Sequence, residues 1–387
     1  MYTIQTLNKI SPLGLNQLDP KDFTVTGESD NPDGILVRSA DLHEMAFGSN
    51  LRAIARAGAG TNNIPLDKCA EAGIVVFNTP GANANAVKEL VIGALIISSR
   101  DVISGIKWCW NLTEEDGDVE KLVEKKKSQF VGPEILGKNL GIIGLGAVGV
   151  KVANAAVQLG MNVYGYDPYL SVQNALIMDS SVKVVDLKTI YEMSDYITIH
   201  SPLLASTKGM IDETSISSMR HGVRIINLAR GGLVDDEDML AAIASGKVAR
   251  YVTDFPNNTL VGKPGVITIP HLGASTPESE ENCAIMAAQE LREYLLTGNI
   301  RNSVNMPNVE MARTGVARLG IIHRNIPKMI SNISALLSNE GANIENMTNK
   351  SRGDYAYTLI DLGQVISNQT LEHVRNLGGV LRLRIIK

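Results

Sequence analysis

Cysteine is nearly absent from this chain. Cys69, Cys109 and Cys283 are scattered among 387 residues and odd in number. Such a set implies neither a disulfide framework nor a cysteine-held metal, and it fits a reducing, cytoplasmic setting. Long hydrophobic runs are missing too: the longest, residues 90–97, is far below the roughly 20 residues that span a bilayer. The opening Met1-Tyr2-Thr3-Ile4 is not followed by the charged and apolar regions of a secretion signal. Nor is there an excess of positive charge. With 36 Lys and Arg against 41 Asp and Glu, the net charge is −5, which argues against nucleic acid or a membrane surface as the main partner. No internal repeat or low-complexity tract appears.

What is present is an ordinary globular balance, 44% hydrophobic and 20% charged, in a chain long enough for two or three domains. Apolar strand-like segments alternate with helical ones. Strands are expected at 34–37, 51–57 and 73–77, and again at 182–185, 196–200, 223–228, 251–254 and 266–269. One long apolar helix is expected at about 87–107, buried between layers. This alternation predicts an α/β fold with a doubly wound parallel sheet. A helix begins at Ser275-Thr276-Pro277, with proline at the first helical position, and runs to Gly298. The polar stretch 302–314, containing Pro307, reads as a linker to a separate last unit with strand-helix-strand-strand-helix-strand order.

Residues 140–167 carry the most information. The apolar segment Leu140-Gly141-Ile142-Ile143 leads into Gly144-Leu145-Gly146-Ala147-Val148-Gly149, then a helix, a second strand and Asp167. In a G-x-G-x-x-G turn the first glycine permits the sharp bend. The second clears space for a pyrophosphate, and the third lets the helix pack closely. The helix N-terminus presents free N–H groups to phosphate. Asp167, 18 positions past Gly149, stands where a carboxylate meets ribose hydroxyls and repels a 2′-phosphate, so NAD is favoured over NADP. A lone glycine loop would be weak evidence, but strand, helix and acid together point to a dinucleotide.

Two later loops carry reactive side chains. Arg230, in Asn227-Leu228-Ala229-Arg230-Gly231-Gly232, follows a strand; its planar fork suits a carboxylate. His271, in Pro270-His271-Leu272-Gly273-Ala274-Ser275-Thr276, also follows a strand and can exchange a hydroxyl proton near neutrality. The plainer readings are a surface arginine and a structural histidine, but strand carboxyl ends are where open α/β sheets bind ligands. No metal site is expected.

These motifs, with Thr253-Asp254-Phe255-Pro256, resemble the D-isomer-specific 2-hydroxyacid dehydrogenases over nearly the whole chain. The resemblance implies a Rossmann-type nucleotide domain (101–282), a flavodoxin-like, discontinuous substrate domain (1–100 plus 283–306) and a C-terminal ACT regulatory domain of βαββαβ order (315–387). It implies hydride transfer from C2 of a 2-hydroxy acid to NAD while His271 takes the hydroxyl proton and Arg230 holds the carboxylate. Gly144, Gly146, Ala147, Val148, Gly149, Asp167, Ser201, Ala229, Asp254, Gly273 and Ala274 match cofactor-binding positions. Arg38, Ser39, Ala59, Gly60 and Asn62 match substrate positions, and Arg38 with Ser39 offers a cation and a hydroxyl to a phosphate. The implied substrate is therefore 3-phosphoglycerate, at the start of serine synthesis. In the tail, His323, Asn325 and Asn343 match positions that bind L-serine as effector, with Lys328 where the motif usually has glycine. A homodimer or homotetramer is implied.

One departure stands out. The family's histidine usually pairs with a glutamate, yet residues 255–270 contain no acid, and Asn257 and Asn258 stand there instead. Without that carboxylate His271 should be less basic and less firmly held. The cluster Lys125-Lys126-Lys127 reads first as a solvated face and second as a further cation for the substrate phosphate. Two rival functions stay open: a dehydrogenase for another D-2-hydroxy acid, and a regulatory protein that senses NAD(H).

Overall fold

Five short strands open the chain: β1 (Tyr2–Leu7), β2 (Phe23–Thr26), β3 (Gly34–Val37), β4 (Ala53–Arg56) and β5 (Val75–Phe77), with α1 (Pro12–Leu15) and α2 (Leu66–Glu71) between them. They form one parallel sheet in the order β2-β1-β3-β4-β5, the flavodoxin-like arrangement. β3, β4 and β5 are the apolar runs expected from sequence, and nearly all their residues are buried, as parallel strands covered on both faces must be. β1 and β2 interleave threonine and glutamine with apolar residues and are half-exposed, so they escape a search for apolar runs. The computed structural model describes residues 1–386.

Next come α3 (Ala84–Ser99), α4 (Val102–Trp110) and α5 (Val119–Lys126). The single helix expected at 87–107 is thus two. The hydroxyls of Ser98 and Ser99 both donate to the Leu95 carbonyl, an alternative to regular helical bonding that favours termination. α3 buries Val87, Val91, Ala94 and Leu95, whereas α4 has no buried residue.

The second sheet is built from β6 (Asn139–Ile143), β7 (Asn162–Tyr166), β8 (Lys183–Val184), β9 (Tyr196–Ile199), β10 (Val223–Asn227), β11 (Val248–Thr253) and β12 (Val266–Thr268). Its helices are α6 (Ala147–Gln158), α7 (Val172–Ile177), α8 (Leu187–Met193), α9 (Glu213–Ser218) and α10 (Asp236–Ala244). The strands are parallel in the order β12-β11-β10-β9-β6-β7-β8. Strand order reverses between β9 and β6, the switch point at which doubly wound sheets bind ligands.

The chain then returns through α11 (Pro277–Thr297), whose start and end agree with the proline and Gly298 signals, to β13 (Ala317–Arg324), α12 (Met329–Asn339), β14 (Ile344–Arg352), β15 (Tyr355–Leu362), α13 (Asn368–Arg375) and β16 (Val380–Ile386). These last strands form an antiparallel sheet, β14-β15-β13-β16.

Two compact units result: residues 1–83 with 277 onward, and residues 84–276. The boundaries differ from those read from sequence. α3 falls in the second unit, because its apolar face joins Leu140, Ile142, Ile226 and Val252 in one core. α11, of which the sequence reading gave 283 onward to the first unit, falls there whole, and Ala284, Ala287, Leu291 and Leu295 pack with Ile4, Leu36 and Phe77.

The tail is not a free-standing module either. One face of its sheet, with Leu319, Ile321 and Ile360, packs on Ile333, Leu337 and Val374. The other contributes Ile322, Tyr357, Leu359 and Ile386 to the core that holds Phe77, Leu291 and Tyr294. The segment 302–314 is likewise more than a linker. Asn305 Oδ1 accepts the Val76 amide at 2.8 Å while its Nδ2 donates to the Ile74 carbonyl at 2.8 Å. A polar side chain there takes the place of a neighbouring strand at the edge of β5.

Candidate functional site

In the second unit the chemistry-bearing residues gather at the carboxyl ends of the strands. β6 delivers Gly144 with φ +99°, and a Cβ there would lie 2.8 Å from the His200 carbonyl. At Gly149 a Cβ would sit 1.9 Å from the Gly144 oxygen, so only glycine lets α6 close on the turn. Gly146 differs, since a Cβ would meet nothing within 4 Å. The space beside it is open rather than filled by protein. α6 begins at Ala147 and Val148 with no side-chain cap, leaving its first amides available to an anion. Asp167 follows β7 and is fixed at the mouth of the turn: one carboxylate oxygen accepts the Leu145 amide at 2.9 Å and the other the Tyr169 amide at 2.8 Å. Ser201 lies just past β9, with Oγ 3.4 Å from the Ile143 carbonyl.

Arg230 is exposed on a loop clasped by Asn227. The Asn227 side chain donates to the Arg230 carbonyl at 2.9 Å and accepts the Ala229 amide at 3.2 Å. His271 is also exposed and sits at φ +45°, a strained conformation for a non-glycine residue. Its amide donates to the Asp254 and Ile269 carbonyls, and its ring lies 4.8 Å from that of Phe255.

Asp254 sits among these groups. It is 1% exposed. One carboxylate oxygen accepts the Gly273 amide at 3.1 Å, and the other is buried with no partner among the described residues. Burial raises its pKa, opposed by the Gly273 amide and by the charges of His271 and Arg230. The imidazole and the guanidinium thus both act on one buried carboxylate. An orphaned acceptor at Asp254, an open cradle at Gly146 and an uncapped helix start fit a nicotinamide dinucleotide. Asn257, in the stretch that lacks the family's glutamate, donates to Asp236 at 2.7 Å.

In the first unit, Arg38 and Ser39 follow β3, and residues 57–62 follow the adjacent β4. Arg38 pairs with Glu280 of α11 at 2.5 Å. The Asn8 side chain accepts the Ser39 and Ala40 amides, and Asn78 donates to the Ala59 carbonyl at 2.6 Å. Gly60 lies near Asn62, whose Oδ1 would be 3.5 Å from an added Cβ.

Of the tail residues, Asn325 and Asn343 are exposed. Asn325 donates to the Gly353 carbonyl and Asn343 to Glu345. His323 departs from expectation. It is 2% exposed, one ring nitrogen is 2.8 Å from the Arg324 carbonyl and the other 2.9 Å from Thr358 Oγ1. Both ring nitrogens already have partners within the tail sheet. Lys328 has φ +67°, which explains why glycine suits that position. Lys127 pairs with Glu124 on the same surface, as a solvated face would.

Sequence reasoning did not assign a role to Phe255, Glu280, Asn8 or Asn78. Phe255 sits inside a quoted motif, whereas Glu280 lies 242 positions from Arg38, and no local pattern signals such a pair.

Residues 104–273 match the family described as D-isomer specific 2-hydroxyacid dehydrogenase, NAD binding domain. A D-3-phosphoglycerate dehydrogenase of Archaeoglobus fulgidus is 36% identical over 289 residues, covering 72% of this chain and 52% of that protein. This chain therefore spans about half the length of that relative. A hydroxypyruvate reductase of Thermotoga maritima is 37% identical over 277 residues, covering 68% of this chain and 85% of that protein. Among solved structures, an NAD+-bound 3-phosphoglycerate dehydrogenase of Entamoeba histolytica aligns with TM-score 0.59 and 26% identity, over 79% of this chain and 98% of that one. With an NAD-binding unit of matching sequence and fold, the chain belongs to the D-isomer-specific 2-hydroxyacid dehydrogenase family.

Proposed function

We propose that this protein oxidises 3-phospho-D-glycerate to 3-phosphohydroxypyruvate with NAD, and that L-serine regulates it through the tail. The observation that carries the dehydrogenase reading is that Arg230 and His271 follow strand ends of the sheet that bears the dinucleotide turn, where the charge of each acts on buried Asp254. Bound NAD would accept the hydride as the C2–H bond breaks. His271 takes the proton of the C2 hydroxyl as the carbonyl forms, and returns it to water afterwards. Arg230 holds the C1 carboxylate and stabilises charge developing on the C2 oxygen. In the first unit, the amides at Ala59 and Gly60 and the side chain of Asn62 are the groups that the family resemblance assigns to substrate.

Arg38 and Ser39 would hold the phosphate, which carries about −1.5 to −2 charges at neutral pH. Glu280 already neutralises Arg38, so a phosphate must displace or outcompete that carboxylate. The names of the similar proteins divide on this point, one being a phosphoglycerate dehydrogenase and another a hydroxypyruvate reductase. The second reading, an unphosphorylated D-2-hydroxy acid as substrate, therefore stands as the rival. Serine regulation is supported by the βαββαβ tail with exposed Asn325 and Asn343, without a contribution from His323. Pairing of two tails through an open sheet edge would make the protein a homodimer or a larger homo-oligomer.

The test is NADH formation from 3-phosphoglycerate and from D-glycerate, with and without L-serine. Arg38→Ala is expected to raise KM for phosphoglycerate about 10- to 100-fold, as loss of a charge-assisted contact does, and to leave glycerate little changed. Equal wild-type activity on the two acids would transfer the assignment to the unphosphorylated substrate. Arg230→Ala retaining full turnover would remove the mechanism.

A further inference from the structure

A cavity of about 360 Å³ lies between the last strand of the tail and the segment that enters β4. Its lining includes Arg52, Arg375, Arg382 and Arg384, with Ser49 and Tyr2 beside them, and no acidic residue. This size is at the lower end of the roughly 300–1,000 Å³ range of small-molecule sites.

The charges there are only half compensated. Arg52 pairs with Asp33 at 2.5 Å, and Arg375 pairs with Glu372 on its own helix. Arg382 and Arg384 form no ion pair among the described residues. Arg382 instead donates to the Leu51 and Ala72 carbonyls, and Arg384 to the Tyr294 and Leu295 carbonyls at the end of α11. Those bonds hold the two side chains in place but neutralise neither. A guanidinium has five N–H donors, so each keeps donors beyond the two bonds it makes to carbonyls. Arg384 is only 8% exposed. For Arg382, burial is the main influence holding its basicity below the ordinary value, with repulsion from Arg52 and Arg384 adding to it.

Holding two cations without ion pairs side by side, Arg384 buried and Arg382 half-buried, costs free energy that an anion between them would recover. Arg384 also lies over the Tyr294 ring, 4.5 Å from its centroid, a contact that holds a cation without neutralising it. Alternation along β16 places Arg382 and Arg384 on one face, and the fork geometry of arginine matches phosphate oxygens.

We propose that this cavity is a binding site for a small phosphate-bearing anion, separate from the dinucleotide turn and from Arg38. The ligand class is inorganic phosphate, pyrophosphate or a compact phosphomonoester. Occupancy ties the tail to the first segment, because Arg382 already grips Leu51, two residues before β4. The loop carrying Ala59, Gly60 and Asn62 leaves the other end of that four-residue strand.

The experiment is a calorimetric and thermal-shift titration of the full chain with pyrophosphate, inorganic phosphate and glycerol phosphate. It is run at constant ionic strength with chloride as control, and with NADH present to occupy the dinucleotide turn. In an Arg38→Ala background, which removes the proposed substrate-phosphate contact, saturable binding of one anion per chain is expected, at least tenfold weaker when Arg375→Gln or Arg382→Gln is added. Arg375 is exposed, so its variant reports even if Arg382→Gln folds poorly. The strongest of the three ligands identifies the source of the phosphate. No saturable binding by any of them, or affinity that survives both variants, overturns the proposal.

Discussion

Glu290 lies 7% exposed on α11, where Asn302 donates to one carboxyl oxygen at 2.7 Å and the other has no partner among the described residues. Burial pushes its pKa up to about 8. Between about 4.5 and 8 the folded state holds a proton that the unfolded state releases, so stability falls as pH rises through that window. Glu290→Gln mimics the protonated form. It is expected to stabilise the protein by about 1–3 kcal/mol more at pH 8.5 than at pH 5, read as the difference in Tm at the two pH values. An equal effect at both would mean the carboxyl is ionised in the fold. At Lys328, replacement by glycine relieves a left-handed backbone and should add about 0.5–1 kcal/mol, measurable by urea unfolding. The active-site residues offer a further test. Burial raises the pKa of Asp254, while the charges of His271 and Arg230 act to lower it. Asp254→Asn removes the charge on which they act and should reduce kcat about tenfold or more with the fold intact, read by steady-state kinetics beside far-ultraviolet circular dichroism; full turnover would show that the carboxylate has no part in the reaction.

At the scale of elements, short-range signals and long-range packing separate cleanly. The G-x-G-x-x-G turn, the proline start of α11 and the buried strands β3 to β5 were legible because each is written in a few neighbouring residues. The break between α3 and α4 was not, since apolar periodicity continues through it while two serine hydroxyls cap the turn. Residues 302–314 look like a linker by composition, yet Asn305 completes the edge of β5. Asn305→Ala would leave the Val76 N–H and Ile74 C=O buried and unpaired, costing about 2–3 kcal/mol. A denaturant midpoint unchanged from wild type would show that water replaces the amide.

For the whole molecule, the shared core of the tail and the first segment is the main consequence. Arg318, buried on β13, makes a two-bond ion pair with Asp361 at 2.6 and 2.8 Å and donates to the Thr297 carbonyl at the end of α11. Truncation after residue 314 would strip cover from Leu291, Tyr294 and Phe77. We expect such a protein to be poorly soluble and to lose near-ultraviolet circular dichroism. A soluble, fully active truncation would restore the view of the tail as an independent module. Among the described residues no helix is long and apolar enough to cross a membrane.

Local chemistry alone determined that this chain holds a dinucleotide on a parallel sheet and carries Arg230 and His271 at strand ends. Backbone bends, helix starts and strand tips depend on runs of a few residues, and those runs are visible in order. Tertiary packing alone decided where the units divide, that the partners of His323 lie within the tail sheet, that Glu280 meets Arg38 and that four arginines line one cavity. Burial and charge pairing depend on which distant segments meet, and that is set by the competition of all apolar faces for one another.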